Sequence, residues 1–114
     1  MAARIIVSDW AALEVSSVMA LRARIGAITK VETTDLLIDF DVWRRAAATL
    51  AFIQSEDIAR AMSLVRRGDL VLRGPDAIHI AIAERLNATL LTFDKGMSAA
   101  AKAIGLNVAN QPTA

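Results

Sequence analysis

Residues 72–96, with the sequence LRGPDAIHIAIAERLNATLLTFDKG, constrain the possible folds of this chain more than any other segment. They contain the breaker pair Gly74-Pro75, and proline is well tolerated at the start of a helix because its missing N–H would have no partner there. Apolar residues then recur at helical spacing as far as Asn87, which can close the helix. The apolar run ATLLT follows and predicts a buried strand that ends at Thr92.

The rest of the chain continues this alternation of strands and helices. RIIVS predicts a buried strand from Arg4 to Ser8, and Ser8 is placed to cap a helix that Gly26 ends. Further along, we predict a second helix capped by Thr33 or Thr34 and a strand around Leu50–Ile53. A third helix is opened by Ser55 and ends near Gly68. After ATLLT, we predict a helix over about 96–104 that Gly105 stops, and a last short strand in LNVA. Such alternation predicts an α/β fold with a mostly parallel central sheet flanked by helices.

Length and composition limit the classes of protein that remain. The chain has 114 residues, no repeat and no evident linker, so we expect one domain over residues 1–114 with a frayed tail from Gln111. It has no cysteine, which excludes disulfides and thiolate metal sites. No apolar run approaches the roughly 18–20 residues that span a bilayer, and no signal peptide is evident, so we expect no membrane association and a cytoplasmic location.

The net charge of +1 gives no strong overall field, so any binding of nucleic acid must come from local clusters of arginine. Solvated helix faces are the alternative interpretation of these clusters. The candidates are Arg22 with Arg24, Arg44 with Arg45, and Arg66 with Arg67.

Three acids occupy positions that an α/β topology would bring to one rim, where strands end and helices begin. Asp94 directly follows the strand TLLTF, Asp76 lies in the first turn of the helix that begins with Gly74-Pro75, and Glu14 lies between one and two turns into the first helix. Clustered carboxylates without cysteine favour a hard cation such as Mg²⁺ or Mn²⁺, which can support phosphodiester cleavage. On the residues alone the alternative stays open, because an Asp at a helix start is often a cap and Glu14 can be an ordinary surface acid.

Two segments of the chain resemble PIN domains of the VapC toxin-ribonuclease type. SDWAALEVSSVMALRAR is similar to the helix that carries that family's second acid, which matches Glu14. In LRGPDAIHIAIAERLNATLLTFDKG, the acid before Ala-Ile-His matches Asp76, and the acid of TFD matches Asp94. The resemblance covers essentially the whole chain, and its second half is the more specific.

The resemblance implies a PIN-like three-layer fold and a metal-dependent endoribonuclease. Glu14, Asp76 and Asp94 would be its catalytic metal ligands, Mg²⁺ or Mn²⁺ its cofactor and RNA its substrate. A cognate antitoxin is the expected partner, and a homodimer the expected assembly.

The chain departs from the family pattern at its start. The family begins with a strand that ends in Asp-Thr or Asp-Ser and is followed by a first helix. RIIVS instead matches the family's second strand, and Asp9 does not replace the missing acid. We therefore expect an N-terminally incomplete fold with an open strand edge and weakened metal binding. A misassigned start codon, a degenerate gene and a shortened chain are all open explanations.

The residues that flank Asp76 and Asp94 each have two interpretations. His79 follows Asp76 by one helical turn, and we interpret it as a structural residue of the helix in preference to a metal ligand. Arg73 and Lys95 can approach a phosphate or balance local charge. Two hypotheses for the whole chain follow: an active ribonuclease, or a catalytically inactive PIN remnant that binds an antitoxin or dimerises.

Overall fold

The structure, a computed structural model, describes residues 5–109. The chain divides between Ile53 and Gln54 into two compact units, called here the N-terminal unit and the C-terminal unit. Within the described range there are five helices and one two-stranded parallel sheet, so the predicted α/β class is confirmed. The elements are β1 (Ile5–Ser8), α1 (Asp9–Arg24), α2 (Lys30–Ala47), β2 (Ala48–Ala51), α3 (Ser55–Arg66), α4 (Gly74–Arg85) and α5 (Lys95–Ala103).

The N-terminal unit is built on the pairing of β1 with β2. The strands run parallel, in a register that places Ile5 opposite Ala48 and Ser8 opposite Ala51. The second strand was expected around Leu50–Ile53, but it starts earlier because α2 runs directly into it. The predicted first residue of β1, Arg4, and the tail from Gln111 lie outside the described residues.

The predicted start of α1 is confirmed. Ser8 is its N-cap, and the Ser8 hydroxyl accepts the backbone N–H of Ala11 at 3.0 Å. Asp9 lies in the first turn, where a negative charge is favoured by the helix dipole. Gly26 follows the end of the helix with a φ of +78°, a conformation that glycine adopts without strain.

The predicted cap of α2 is wrong. The helix begins four or five residues earlier, because Thr29 and Glu32 form a reciprocal capping box. The Thr29 hydroxyl accepts the Glu32 N–H at 3.0 Å, and the Glu32 carboxylate accepts the Thr29 N–H at 3.1 Å. The latter bond lowers the pKa of Glu32. Thr33 and Thr34 lie inside the helix, where their hydroxyls donate to backbone carbonyls one turn back.

The C-terminal unit has a core formed by its three helices. Its buried centre is Leu64 of α3, Ile80 of α4 and three residues of α5, namely Met97, Ala100 and Ala101. The predicted helix starts at Ser55 and Gly74, and the end of the last helix before Gly105, agree with α3, α4 and α5 to within a residue. Asn87, with a φ of +52°, follows the end of α4 as predicted.

The two strands predicted for this unit do not form as strands in residues 54–109. Leu90 makes one isolated parallel bridge with Val108, in which the Leu90 N–H donates to Asn107 at 2.9 Å and Leu90 accepts from Ala109 at 2.8 Å. Leu91 is 62% exposed, so ATLLT is not buried throughout. The pairing does not extend past Leu90, and the backbone bends at Phe93, where the Thr92 hydroxyl accepts the N–H of Asp94.

No helix in residues 5–109 is both long enough and apolar enough to cross a membrane.

Candidate metal and nucleic-acid site

Asp94 combines a structural contact with an open carboxylate oxygen. It is the N-cap of α5, and its Oδ1 accepts the backbone N–H of Met97 at 2.7 Å. The buried hydroxyl of Thr92 accepts the N–H of Asp94 at 3.1 Å and fixes the backbone on the other side. Over residues 5–109, Oδ2 has no hydrogen-bond partner. One oxygen therefore holds the side chain in place while the other is open to a ligand.

Gly96 lies so close to this carboxylate that a side chain at position 96 would crowd it. A Cβ at Gly96 would lie 3.2 Å from Asp94 Oδ1 and 4.0 Å from the carbonyl oxygen of Val71. The start of α5 is therefore adjacent to the segment that leads into α4. Val71 stands two positions before Arg73, the N-cap residue of α4.

Asp76 lies in the first turn of α4, as the sequence predicts. Its side chain is 15% exposed, and its Oδ2 lies 3.4 Å from Nε of Arg73, the residue that precedes the helix. Pro75 occupies the first turn of the same helix, where it removes an N–H that would otherwise need a partner. His79, one turn after Asp76, is partly buried and already engaged in the structure.

Glu14 lies in α1 of the N-terminal unit, is partly buried and also interacts with another group of the protein. In the same unit, the structure assigns Asp9 a role that the sequence did not reveal. Its Oδ1 accepts the N–H of Ile53 at 2.8 Å, across 44 positions of sequence, as well as the N–H of Trp10 at 2.9 Å. Asp9 thus ties the segment after β2 to the start of α1, at the carboxyl end of both strands.

No group of three His, Cys, Asp or Glu side chains suited to a metal ion is found among residues 5–109. The predicted convergence of Glu14, Asp76 and Asp94 stays a prediction. The donors themselves suit a hard cation, because they are carboxylates and Asp94 keeps one oxygen open.

The arginine clusters have local roles in the structure. Each of the pairs at Arg22, Arg44 and Arg66 includes a residue in the last turn of a helix, where positive charge is favoured by the dipole. Arg44 forms an ion pair with Asp41 at 3.0 Å and lies over the ring of Phe40. These contacts support the interpretation as helix faces, and RNA contacts by the same residues stay a prediction.

Sequence reasoning missed a buried ion pair of the C-terminal unit. Asp57 in α3, 1% exposed in its side chain, accepts two hydrogen bonds from Arg85 in α4, at 2.8 and 3.0 Å. A second pair, Arg60 with Glu84, joins the same two helices at 2.8 and 3.1 Å. These contacts fix α4, and with it Asp76, against α3. Their partners lie 24 and 28 positions apart, so no local pattern reveals them.

The described residues combine an α/β topology with carboxylates at the starts of α4 and α5, and the sequence has no cysteine that could supply thiolate ligands. The family follows from a direct sequence match. Residues 1–103 match the PIN domain, and the chain belongs to the PIN domain family. No curated protein matches the chain significantly. Membership of this family indicates a nuclease-type function on nucleic acids, and PIN domains generally depend on divalent metal ions.

Proposed function

We propose that this chain is a metal-dependent endoribonuclease of the VapC type, the toxin of a toxin–antitoxin pair acting in the cytoplasm. Glu14, Asp76 and Asp94 would hold one or two Mg²⁺ or Mn²⁺ ions. A bound ion would activate water and stabilise the leaving oxygen of a phosphodiester. The proposal rests on the two matching segments of the sequence and on membership of the PIN family over residues 1–103.

The geometry of Asp94 is the observation that most favours this function. A carboxylate that serves only as a cap needs one oxygen, and Asp94 uses one for Met97. The residue is exposed, and its second oxygen is open within the described part of the chain. A carboxylate that is anchored through one oxygen and open at the other can serve as one ligand of a catalytic cation site.

The direct test is cleavage of single-stranded RNA by the purified chain with Mg²⁺, with Mn²⁺ and with a chelator. Asp76→Asn and Asp94→Asn are expected to abolish cleavage. Asp69→Asn is the matched control, because Asp69 is an exposed acid of the same unit, paired with Arg67. Cleavage that survives the chelator, or that persists in Asp94→Asn, would refute the proposed site.

A second candidate function is a catalytically inactive module that binds an antitoxin or forms a homodimer. An apolar groove of about 280 Å³ between α3 and α4 favours it. Exposed side chains from α3 form much of the lining, and the cationic Arg66 adjoins them; the main lining residues are Ile58, Met62, Val65, Arg66 and Ile78. Large exposed apolar surfaces commonly mark association sites.

Light scattering and co-purification separate the two candidates. An inactive module would bind its antitoxin, or self-associate through the groove, while failing to cleave RNA with any divalent ion. A Met62→Glu variant would disrupt that association and would leave cleavage intact if the chain is an enzyme. Ser63→Glu is the matched control, because it adds the same charge at an exposed position of the same helix that does not line the groove.

A further inference from the structure

The pair of Arg73 and Asp76 is looser than the other arginine–carboxylate pairs of the C-terminal unit. It consists of one contact at 3.4 Å, and the Arg73 side chain is 79% exposed. Each of the three other pairs described in residues 54–109 makes two bonds of 2.8–3.1 Å; they are Arg60–Glu84, Arg67–Asp69 and Arg85–Asp57.

This difference leaves most of the Arg73 guanidinium open. A guanidinium presents five N–H donors in a planar fork, and only Nε of Arg73 faces Asp76. Within residues 5–109 no further acceptor is found for Arg73. An exposed ion pair with one long contact contributes little, so the side chain can leave Asp76 easily.

The position of Arg73 adds a second reason. It is the N-cap residue of α4, so its backbone is fixed at the start of the helix that carries Asp76. The segment just before it, at Val71, adjoins the start of α5 and its cap Asp94. A side chain anchored there, already 3.4 Å from Asp76, can reach a phosphate bound beside that carboxylate.

We propose that Arg73 binds a phosphate of the nucleic-acid substrate, and that it rests on Asp76 until that carboxylate holds a divalent cation. This inference rests on the proposed function, because it takes Asp76 as a cation ligand. Arg73 and a cation compete for the same carboxylate oxygen. Once released, the guanidinium matches the two unesterified oxygens of a phosphodiester, with which it can form two parallel hydrogen bonds.

The experiment compares Arg73→Ala and Arg73→Lys with the wild-type chain and with Arg60→Ala. Arg60 is the matched control, since it is an arginine of the same unit that lies outside the arginine clusters and is paired with Glu84. The probe is a short fluorescein-labelled single-stranded RNA, titrated with Ca²⁺ present and checked on a gel for intactness. Binding of Mn²⁺ alone is measured separately by electron paramagnetic resonance.

We expect Arg73→Ala to weaken RNA binding about tenfold, the effect of losing one charge-assisted contact. Its log–log salt dependence should become shallower by about 0.7, since one phosphate contact is lost. Arg73→Lys should restore the salt dependence but only part of the affinity, because a lysine lacks the planar fork. Mn²⁺ should bind Arg73→Ala more tightly than the wild type, because its competitor is gone.

Three results would overturn the inference. If Arg73→Ala and Arg60→Ala weaken RNA binding equally, Arg73 has no special role, although the proposed function stands. If Arg73→Ala weakens Mn²⁺ binding or leaves it unchanged, Arg73 does not compete with the cation for Asp76. If the wild-type chain binds neither Mn²⁺ nor RNA, the proposed function and this inference fail together.

Discussion

The carboxylate of Asp57 is held between two helices by Arg85, with Nε at 2.8 Å from Oδ1 and Nη2 at 3.0 Å from Oδ2. The backbone N–H of Gln54 also donates to Oδ2, at 2.8 Å. Hydrogen bonding from Arg85 is the main cause that lowers the pKa of Asp57, against the opposing effect of burial. The charge is therefore buried but fully paired.

Removing the charge of Asp57 is expected to destabilise the C-terminal unit strongly. Asp57→Asn leaves the partly buried guanidinium of Arg85 without its carboxylate, and breaking a buried pair on one side lowers the free energy of unfolding by about 3 kcal/mol. Glu84→Gln breaks the neighbouring, more exposed pair with Arg60 and should lower it by less than about 1 kcal/mol. Urea unfolding followed by circular dichroism measures both; equal losses would show that burial does not distinguish the two pairs.

The same carboxylate should make stability fall in acid. Because the folded pKa of Asp57 is lowered, its contribution is present above the unfolded pKa of about 3.9 and disappears as the pH falls through the folded value. The free energy of unfolding of the wild-type chain should therefore decrease below about pH 4. In Asp57→Asn this decrease should be shallower. Unfolding curves measured across this range test it, and an unchanged slope in the variant would contradict it.

Thr29 should stabilise α2, whereas its neighbours Thr33 and Thr34 should not. Thr29→Ala removes the hydroxyl that accepts the Glu32 N–H, and losing such a cap lowers the free energy of unfolding by about 1 kcal/mol. Thr33→Ala, the matched control, removes only a bond to a carbonyl inside the helix. Thermal melts of the two variants compare the positions, and the idea fails if Thr33→Ala is the more damaging.

The two roles of Asp94 can be separated by substitution. Asn is as good an N-cap as Asp, so Asp94→Asn should keep the bond from Met97 and leave the free energy of unfolding within about 1 kcal/mol of wild type. It loses the charge, however, and should lose Mn²⁺ binding. Asp94→Ala should lose both. Calorimetric titration with Mn²⁺ measures the binding, and urea unfolding measures the stability. Intact Mn²⁺ binding in Asp94→Asn would show that Asp94 acts only as a helix cap.

Local signals in the sequence predicted the helix starts well. Ser8, Ser55 and the Gly74-Pro75 pair each mark a start to within a residue, because the backbone donors of a first turn need nearby partners. The capping box of Thr29 was overlooked, although its partner Glu32 stands three positions later.

Non-local features were beyond the sequence patterns. Whether ATLLT forms a strand depends on what lies beside it, and in the described structure only Leu90 finds a bridge partner, Val108. For the candidate site, Asp76 and Asp94 fall at the predicted helix starts. The open oxygen of Asp94 and the loose contact of Arg73 depend on side-chain geometry, which spacing alone does not specify.

The parallel pairing of β1 with β2 has a consequence for the order in which the chain folds. Its register joins Ile5 to Ala48, so both helices of the N-terminal unit lie inside the loop that this pairing closes. In the C-terminal unit, α3 and α4 are neighbours in sequence and in contact. Because closing a long loop loses chain entropy before any contact compensates, the α3–α4 hairpin should form early. The β1–β2 ladder then becomes the slow step, and Asp9 makes its bond to Ile53 only when that loop has closed.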